Sequence, residues 1–277
     1  MKKTFLYLTL IAFASFSFAS CDDDENTLNE ESGIVGTWEG DADEYHYPIA
    51  TINADGSYEW EWAGIARFKD VGKYTYTDNK IVMTATNYYE WDDEKGGYVV
   101  NKYIEGNPKR NIKVLDVTPG VMHVRLSDYF MGGGQGGYDF EFVLYRKGLV
   151  QDIKAKDLEG TWESYDEDGS LDERVIISGS NYTAYEVWTS DSVLCAEKTT
   201  GTWSVKNGVL TVKPSALYFS YSRNGYGPYE YSPVDPETLE AEKWVQAGYS
   251  LDDYEVKIYL TEDKKTLYAA SAVFKKK

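Results

Sequence analysis

The chain is 277 residues long and carries 46 acidic against 28 basic side chains, a formal charge of −18 at neutral pH. A surface that negative repels phosphate backbones, which excludes nucleic acid as a partner. It repels anionic headgroups as well, so nothing on a folded surface of this kind holds it to a membrane by charge.

The first element in chain order is a leader. Lys2 and Lys3 precede an apolar stretch from Phe5 to Phe18, then Ala19 and Ser20, then Cys21 and the acids Asp22 to Glu25. A basic start, a short apolar segment and small residues at the cleavage point make residues 1–20 a secretory signal. An apolar run of about 14 residues is too short for a permanent span, which takes about 20. A cysteine directly after the cleavage point resembles the lipobox of bacterial lipoproteins. The resemblance implies that Cys21 becomes the acylated first residue of the mature protein, tethered to the membrane by its lipid. The acidic run that follows is similar to a surface-export signal of one group of Gram-negative lipoproteins; residues 21–33 also read as a solvated tether. In other groups an aspartate directly after the cysteine retains the lipoprotein at the inner membrane. The expectation is an outer-membrane lipoprotein displayed at the cell surface, with inner-membrane retention as the rival.

Only two cysteines are present, and with Cys21 committed to lipid, Cys195 has no intramolecular partner for a disulfide. Its setting, Val193-Leu194-Cys195-Ala196, suits a small buried residue.

Beyond the tether the chain repeats itself. Ile34-Val35-Gly36-Thr37-Trp38-Glu39-Gly40 returns as Leu158-Glu159-Gly160-Thr161-Trp162-Glu163-Ser164, and Gly72-Lys73-Tyr74 returns as Gly201-Thr202-Trp203. Phe142 to Lys147 matches Ala272 to Lys276 at the end. Three landmarks in one order argue for two copies of a domain, residues 34–147 and 158–277, with 148–157 as linker.

Each copy reads as strands. Tyr58-Glu59-Trp60-Glu61-Trp62 alternates with period two behind the turn Ala54-Asp55-Gly56-Ser57, and Asn111 to Val117 and Val121 to Leu126 alternate on either side of Thr118-Pro119-Gly120. Outside the linker at Val150 to Leu158 no stretch has helical spacing. About eight consecutive antiparallel strands per copy predict an all-β chain of two up-and-down barrels or sandwiches, and closure is favoured because it removes exposed edges.

Gly36-Thr37-Trp38 and Gly160-Thr161-Trp162 resemble the Gly-x-Trp signature on the first strand of lipocalins and lipocalin-like lipoprotein domains. In that family a basic residue of the last strand lies across the tryptophan at the closed end. The resemblance therefore implies two tandem lipocalin-like barrels, with Arg146 over Trp38 and Lys275 over Trp162. These signature residues are structural and identify no ligand.

Motifs for catalysis are missing from the sequence. The nucleophile elbow, phosphate loop, dinucleotide fingerprint and His-Glu-x-x-His pair do not occur, and of the two histidines His123 suits a strand pleat while His46 sits in a polar loop. Met131 to Gly137 reads as a flexible loop, and Asp166 to Asp172 as a solvated turn without the bidentate glutamate of a calcium loop. No enzyme activity, cofactor or metal is expected; a carboxylate pair for glycoside hydrolysis is the third-ranked reading. The 25 tyrosines and 8 tryptophans are the best lead to a function. One cluster holds Tyr88, Tyr89 and Trp91; a second holds Tyr221, Arg223, Tyr226, Tyr229, Tyr231 and Trp244 around three prolines that suggest a loop or lid. Such rings suit a small hydrophobic molecule or a glycan at a barrel mouth, or a contact patch for another envelope protein. They are equally what alternating strands favour.

Overall fold

The computed structural model describes residues 33–40, 46–64, 67–101, 109–128, 138–190, 192–223, 229–249, 251–270 and 272–277. The leader, Cys21 and the acidic tether lie outside the described residues. The first unit contains β1 (Gly36–Gly40), β2 (His46–Ile52), β3 (Ser57–Gly64), β4 (Phe68–Thr77), β5 (Lys80–Asp92), β6 (Gly97–Val100), β7 (Lys109–Val117), β8 (Val121–Asp128) and β9 (Tyr138–Arg146). A single helical turn, α1 (Ala155–Leu158), falls in the linker. The second unit contains β10 (Gly160–Tyr165), β11 (Leu171–Ser178), β12 (Asn181–Ser190), β13 (Val193–Lys206), β14 (Val209–Phe219), β15 (Tyr221–Arg223), β16 (Tyr229–Tyr231), β17 (Val245–Gln246), β18 (Tyr254–Leu260), β19 (Thr266–Ala269) and β20 (Ala272–Lys276).

Both units close. In the first, the sheet order β4-β3-β2-β1-β9-β8-β7-β5 is completed by pairing of β4 with β5, and β6 is an added strand on β5; in the second, β13-β12-β11-β10-β20-β19-β18-β14 is completed by pairing of β13 with β14, with β17 added. The chain thus forms two tandem eight-stranded antiparallel up-and-down barrels, as expected from the lipocalin-like reading. Among the described residues no helix is long and apolar enough to cross a membrane.

The period-two pattern becomes an inside and an outside. Tyr58, Trp60 and Trp62 of β3 are buried in the first core, whereas Glu59 and Glu61 between them are only partly covered. Each barrel turns its corner at one glycine. Register shifts fall between Val71 and Gly72 and between Thr200 and Gly201. A Cβ at Gly72 would collide with the Thr84 carbonyl oxygen, and one at Gly201 with that of Lys213. Only glycine lets the two backbones come so close at the bulge.

The barrels are packed against each other through outward side chains. Val121, Val143 and Tyr145 of the first form one buried cluster with Tyr259 and Tyr268 of the second, flanked by Leu149 and Val273. The Tyr268 hydroxyl donates to Asp116, and Lys257 lies 5.3 Å above the Tyr145 ring. Gly120, in the β7–β8 turn, leaves room for the Tyr259 ring, which a Cβ there would meet.

Candidate functional site

The closed ends of the two barrels are built alike. The Trp38 indole donates from Nε1 to the Ile34 carbonyl at 2.7 Å, and Trp162 donates to the Leu158 carbonyl at 2.7 Å. The Arg146 guanidinium lies 4.5 Å over the Trp38 ring and donates to the carbonyls of Pro119, Val35 and Gly33 at 2.7, 3.2 and 3.3 Å. Gly36 has φ +145°, and a Cβ on it would come within 2.5 Å of Arg146 Nη1. The glycine of the signature therefore makes room for the cation over the indole.

In the second barrel the expectation of Lys275 is corrected. Trp162 pairs with Lys276, whose Nζ stands 5.0 Å over the ring and donates to the Asp157 carbonyl at 3.1 Å. Lys275 is one residue out of phase, so the strand pleat turns it outward, where its Nζ bonds Thr266 Oγ1 at 2.9 Å.

Above these floors the barrels differ. Bidentate Asp70–Arg110 contacts, at 2.9 and 3.2 Å, lie buried in the first lumen. The Tyr58 hydroxyl donates to the same carboxylate at 2.6 Å, and the guanidinium lies 4.7 Å over Trp60. Burial, and next to it the Asp70 charge, pushes the Tyr58 phenol up. Trp60, Trp62 and Phe142 form a mutual ring cluster with centroids 6.0 to 6.3 Å apart.

The strand registers identify what replaces each of these groups. Tyr58 faces Gly72 and Tyr182 faces Gly201, so Ala184 takes the place of Trp60 and Glu186 that of Trp62. Opposite these, Glu173 takes the place of Pro48 and Thr199 that of Asp70. Counting back from the paired cations Arg146 and Lys276, Ala272 takes the place of Phe142. Met83 pairs with Arg110 where Val212 pairs with Tyr254. The ring cluster and the ion pair have become two alanines, a glutamate, a threonine and a tyrosine, with Glu173 added in place of Pro48.

A cavity of about 280 Å³ results. Trp162 lines it at the floor, with Val175, Ile177, Ala184, Trp203, Leu210, Val212, Ala269, Ala272 and Phe274 among its walls, and Glu173, Tyr182 and Tyr254 supply the polar groups. Tyr254 is 49% exposed and stands where the cavity meets solvent. The Tyr182 hydroxyl and Trp203 Nε1 are buried and have no hydrogen-bond partner among the described residues.

Glu173 is the singular group. It makes no hydrogen bond or ion pair with any described residue, and its strand neighbour across β12 is Glu186. Burial, with the Asp172 and Glu186 charges adding to it, pushes its carboxyl up to about 7. Burial also raises Glu186, with Glu197 and Asp172 contributing, and raises Asp172 next to Asp166. Tyr254 is raised by burial and by the Glu173 charge. By contrast Glu163, on the outer side of β10, is held below its usual range. Burial opposes this, but hydrogen bonds from Lys277, Tyr165 and Arg174 outweigh it.

The aromatic candidates lie elsewhere. Tyr88 is buried in the first barrel beside Asp70, its strand partner. Tyr89 and Trp91 belong to an outer ladder on the β5–β6 hairpin. Arg67 lies 4.9 Å over Trp91, whose edge meets Tyr98 at 5.3 Å; Lys69 lies 5.7 Å from Tyr89 and 4.9 Å from Tyr98. Trp244 covers the outer face of the second barrel, 6.4 Å from Tyr185 and 4.9 Å from Lys198 Nζ, and donates to Glu240 at 3.1 Å. Tyr221 donates to Glu197 at 3.0 Å and stacks edge-on to Trp188; Tyr231 bonds Ser190 Oγ at 2.9 Å. These two tyrosines line a separate polar cleft of about 110 Å³ with Ser220, Glu230 and Lys243. The backbones of Arg223 and Tyr229 pair across the β15–β16 hairpin, and Tyr226 lies outside the described residues. None of these residues lines the 280 Å³ cavity.

Of the remaining sequence candidates, His123 occupies a β8 pleat, 2.8 Å from Glu141, and Cys195 is buried. Asp166 to Ser170 is a turn in which Ser170 bonds Asp168. Glycine run 131–137 lies outside the described residues. Among the described residues no group of three or more His, Cys, Asp and Glu side chains is placed to hold a metal. Sequence reasoning missed Glu173 and the cavity; the signal for them was an alignment of Tyr58-Glu59-Trp60 with Tyr182-Thr183-Ala184.

Searches against protein-family models and against curated proteins return no match to this chain.

Proposed function

We propose that this chain is a lipid-anchored envelope lipoprotein that binds a small, mainly apolar molecule non-covalently inside its second barrel, the first barrel serving as a filled structural partner. The observation that carries the reading is the replacement of Trp60 and Phe142 by Ala184 and Ala272, which leaves about 280 Å³ open within an otherwise repeated architecture. That volume lies just below the ordinary range of about 300 to 1,000 Å³ for ligand pockets, which favours a compact ligand over an oligosaccharide. A binding role is favoured over hydrolysis because a single carboxyl group, Glu173, lies among the described lining residues, whereas glycoside hydrolysis needs two.

The test is binding of small apolar compounds and short glycans to the purified chain, followed by melting shift and by the emission of Trp162 and Trp203. An apolar compound should raise the melting temperature of the wild type and leave an Ala184→Trp variant unmoved. A shift that survives Ala184→Trp would overturn the assignment to this cavity. For the anchor, Cys21→Ala should move the protein from the membrane to the soluble fraction and abolish fatty-acid labelling; persistence in the membrane would refute lipid attachment there. The rival reading, docking on an envelope protein, draws on the outer ladder of Trp91, Tyr98 and Arg67, beside which Val100 is 52% exposed. It predicts a stoichiometric partner captured by the wild type and lost with Trp91→Ser.

A further inference from the structure

Glu173 is the one carboxylic acid among the described residues of the cavity wall. The first barrel neutralises its buried carboxylate internally, with Arg110 bidentate on Asp70 and Tyr58 donating to it. In the second barrel Arg110 has given way to Tyr254 and the carboxyl has moved to Glu173, so the lumen keeps an acid and loses its cation. The charged groups around Glu173 are Asp172 beside it on β11 and Glu186 across β12, with Glu197 beyond on β13; from β18 comes the phenol of Tyr254. All are acids. No lysine or arginine stands among the described lining residues of the cavity; the nearby cations Lys276, Arg174 and Lys198 lie over Trp162 at the floor, on Glu163 and on Glu240 respectively.

We infer that the second-barrel cavity selects a small apolar amine, whose ammonium group is received by Glu173 while its hydrocarbon part fills the space above Trp162 between Ala184 and Ala272. This rests on the cavity being a binding site and adds the charge of the occupant. Three features of the site fit an ammonium. A carboxylate in an apolar wall is costly when ionised and alone, so a desolvated cation beside it gains far more than it would in water. An ammonium has three donors and no acceptor, and Glu173 with the unpartnered Tyr182 hydroxyl offers acceptors on the cavity wall. The aromatic walls Trp162, Trp203 and Tyr254 tolerate cations and apolar chains alike. An anionic ligand meets the opposite case, because Glu173, Asp172 and Glu186 all repel it. The pairing of Ser164 with Glu173 and of Trp162 with Val175 sets the acid one inward step above the floor. A short chain therefore reaches from one to the other, since an inward step spans about 7 Å of strand. Burial, with the Asp172 and Glu186 charges adding to it, pushes the Glu173 carboxyl up to about 7, so its charge, and with it the attraction for an ammonium, falls away at lower pH.

The experiment measures calorimetric affinities of hexylamine, 1-hexanol and hexanoate for the purified full chain at pH 8 and pH 5.5, in wild type, Glu173→Gln and Ala184→Trp. At pH 8 the wild type should bind hexylamine at least about tenfold more tightly than hexanol. Hexanoate should bind weakest of the three. Glu173→Gln should lose the preference for the amine over the alcohol, and the wild type at pH 5.5 should lose most of it without any substitution. Ala184→Trp should abolish binding of all three. Equal affinities for amine and alcohol, or a preference that survives both Glu173→Gln and acid pH, overturn the charge assignment and leave the cavity reading standing. Failure of all three probes to bind the wild type overturns the cavity reading itself. Should Glu173→Gln not fold, the wild-type pH series decides alone.

Discussion

Replacing Glu173 by glutamine should stabilise the protein at pH 8 and leave its stability nearly unchanged at pH 5. Ionising this carboxyl in the folded state is opposed by burial and by Asp172 and Glu186, which lifts its pKa from 4.5 to about 7. A group whose folded pKa is raised adds stability that is complete below the unfolded value and is lost as pH rises through the folded one, because the folded state holds its proton longer. The window for Glu173 therefore runs from about pH 4.5 to about pH 7, and above it the wild type carries the full penalty. At 1.36 kcal/mol per unit, the cost at pH 8 is at most about 3 kcal/mol. Glutamine keeps the shape without the charge, so Glu173→Gln should gain up to that amount at pH 8 and less than about 1 kcal/mol at pH 5. Asp172 and Glu186 are shifted in the same direction, but they are present in both proteins and largely cancel in the comparison. Urea unfolding followed by tryptophan emission measures both values; pH 5 is preferable to anything lower because the chain is isoelectric near 4.5. Equal stability changes at the two pH values, or a loss at pH 8, would refute the reasoning. The gain should come with loss of the amine preference, so stability and recognition would trade against each other at one atom pair.

Three further outcomes follow from the same geometry. Gly36→Ala forces a side chain into φ +145° and against Arg146 Nη1, so it should cost about 1–3 kcal/mol of strain plus much of the cation–π contact. Gly160→Ala meets only the flexible Lys276 side chain at 3.2 Å and should fall at the low end of that range in the same urea assay. Asp70→Ala strands the buried Arg110 and should cost about 3–5 kcal/mol; most of this should be recovered when Arg110→Met accompanies it, as equilibrium unfolding of the pair will show. Lys276→Met should cost about 0.5–2 kcal/mol through the Trp162 contact, whereas exposed Lys275→Met should stay within about 0.5 kcal/mol of wild type. The reverse order in thermal melts would assign the cation over Trp162 to Lys275 instead.

The architecture was legible because its causes are local. The alternation in Tyr58 to Trp62 dictates an inward and an outward face, and the repeated Gly-x-Trp and Gly72/Gly201 landmarks mark a floor and a corner that only glycine permits. The cavity was not legible because it is a difference between two registers. Ala184 means nothing until Tyr182 is set against Gly201 as Tyr58 is against Gly72; then it becomes the missing Trp60. Glu173 was hidden by its neighbours. Asp172-Glu173-Arg174 reads as solvated charge, and only pairing with Ser164 and Glu186 turns the middle residue inward. Lys276 was missed by one residue, which in a strand exchanges the two faces. The tyrosine clusters misled for a related reason: a strand-rich chain places tyrosines on outer faces as readily as at a mouth, and Trp91 and Trp244 stand on outer faces.

Xenon tests most directly the proposal of a filled first barrel and a hollow second one, since apolar cavities of about 150 Å³ are known to stay dry and take up xenon. Crystals of the chain pressurised with xenon should show a peak inside the second barrel between Trp162, Ala184 and Ala272, and none among Trp60, Trp62 and Phe142 of the first. A second barrel without xenon, its centre occupied by side chains, would contradict the account, as would equal peaks in both.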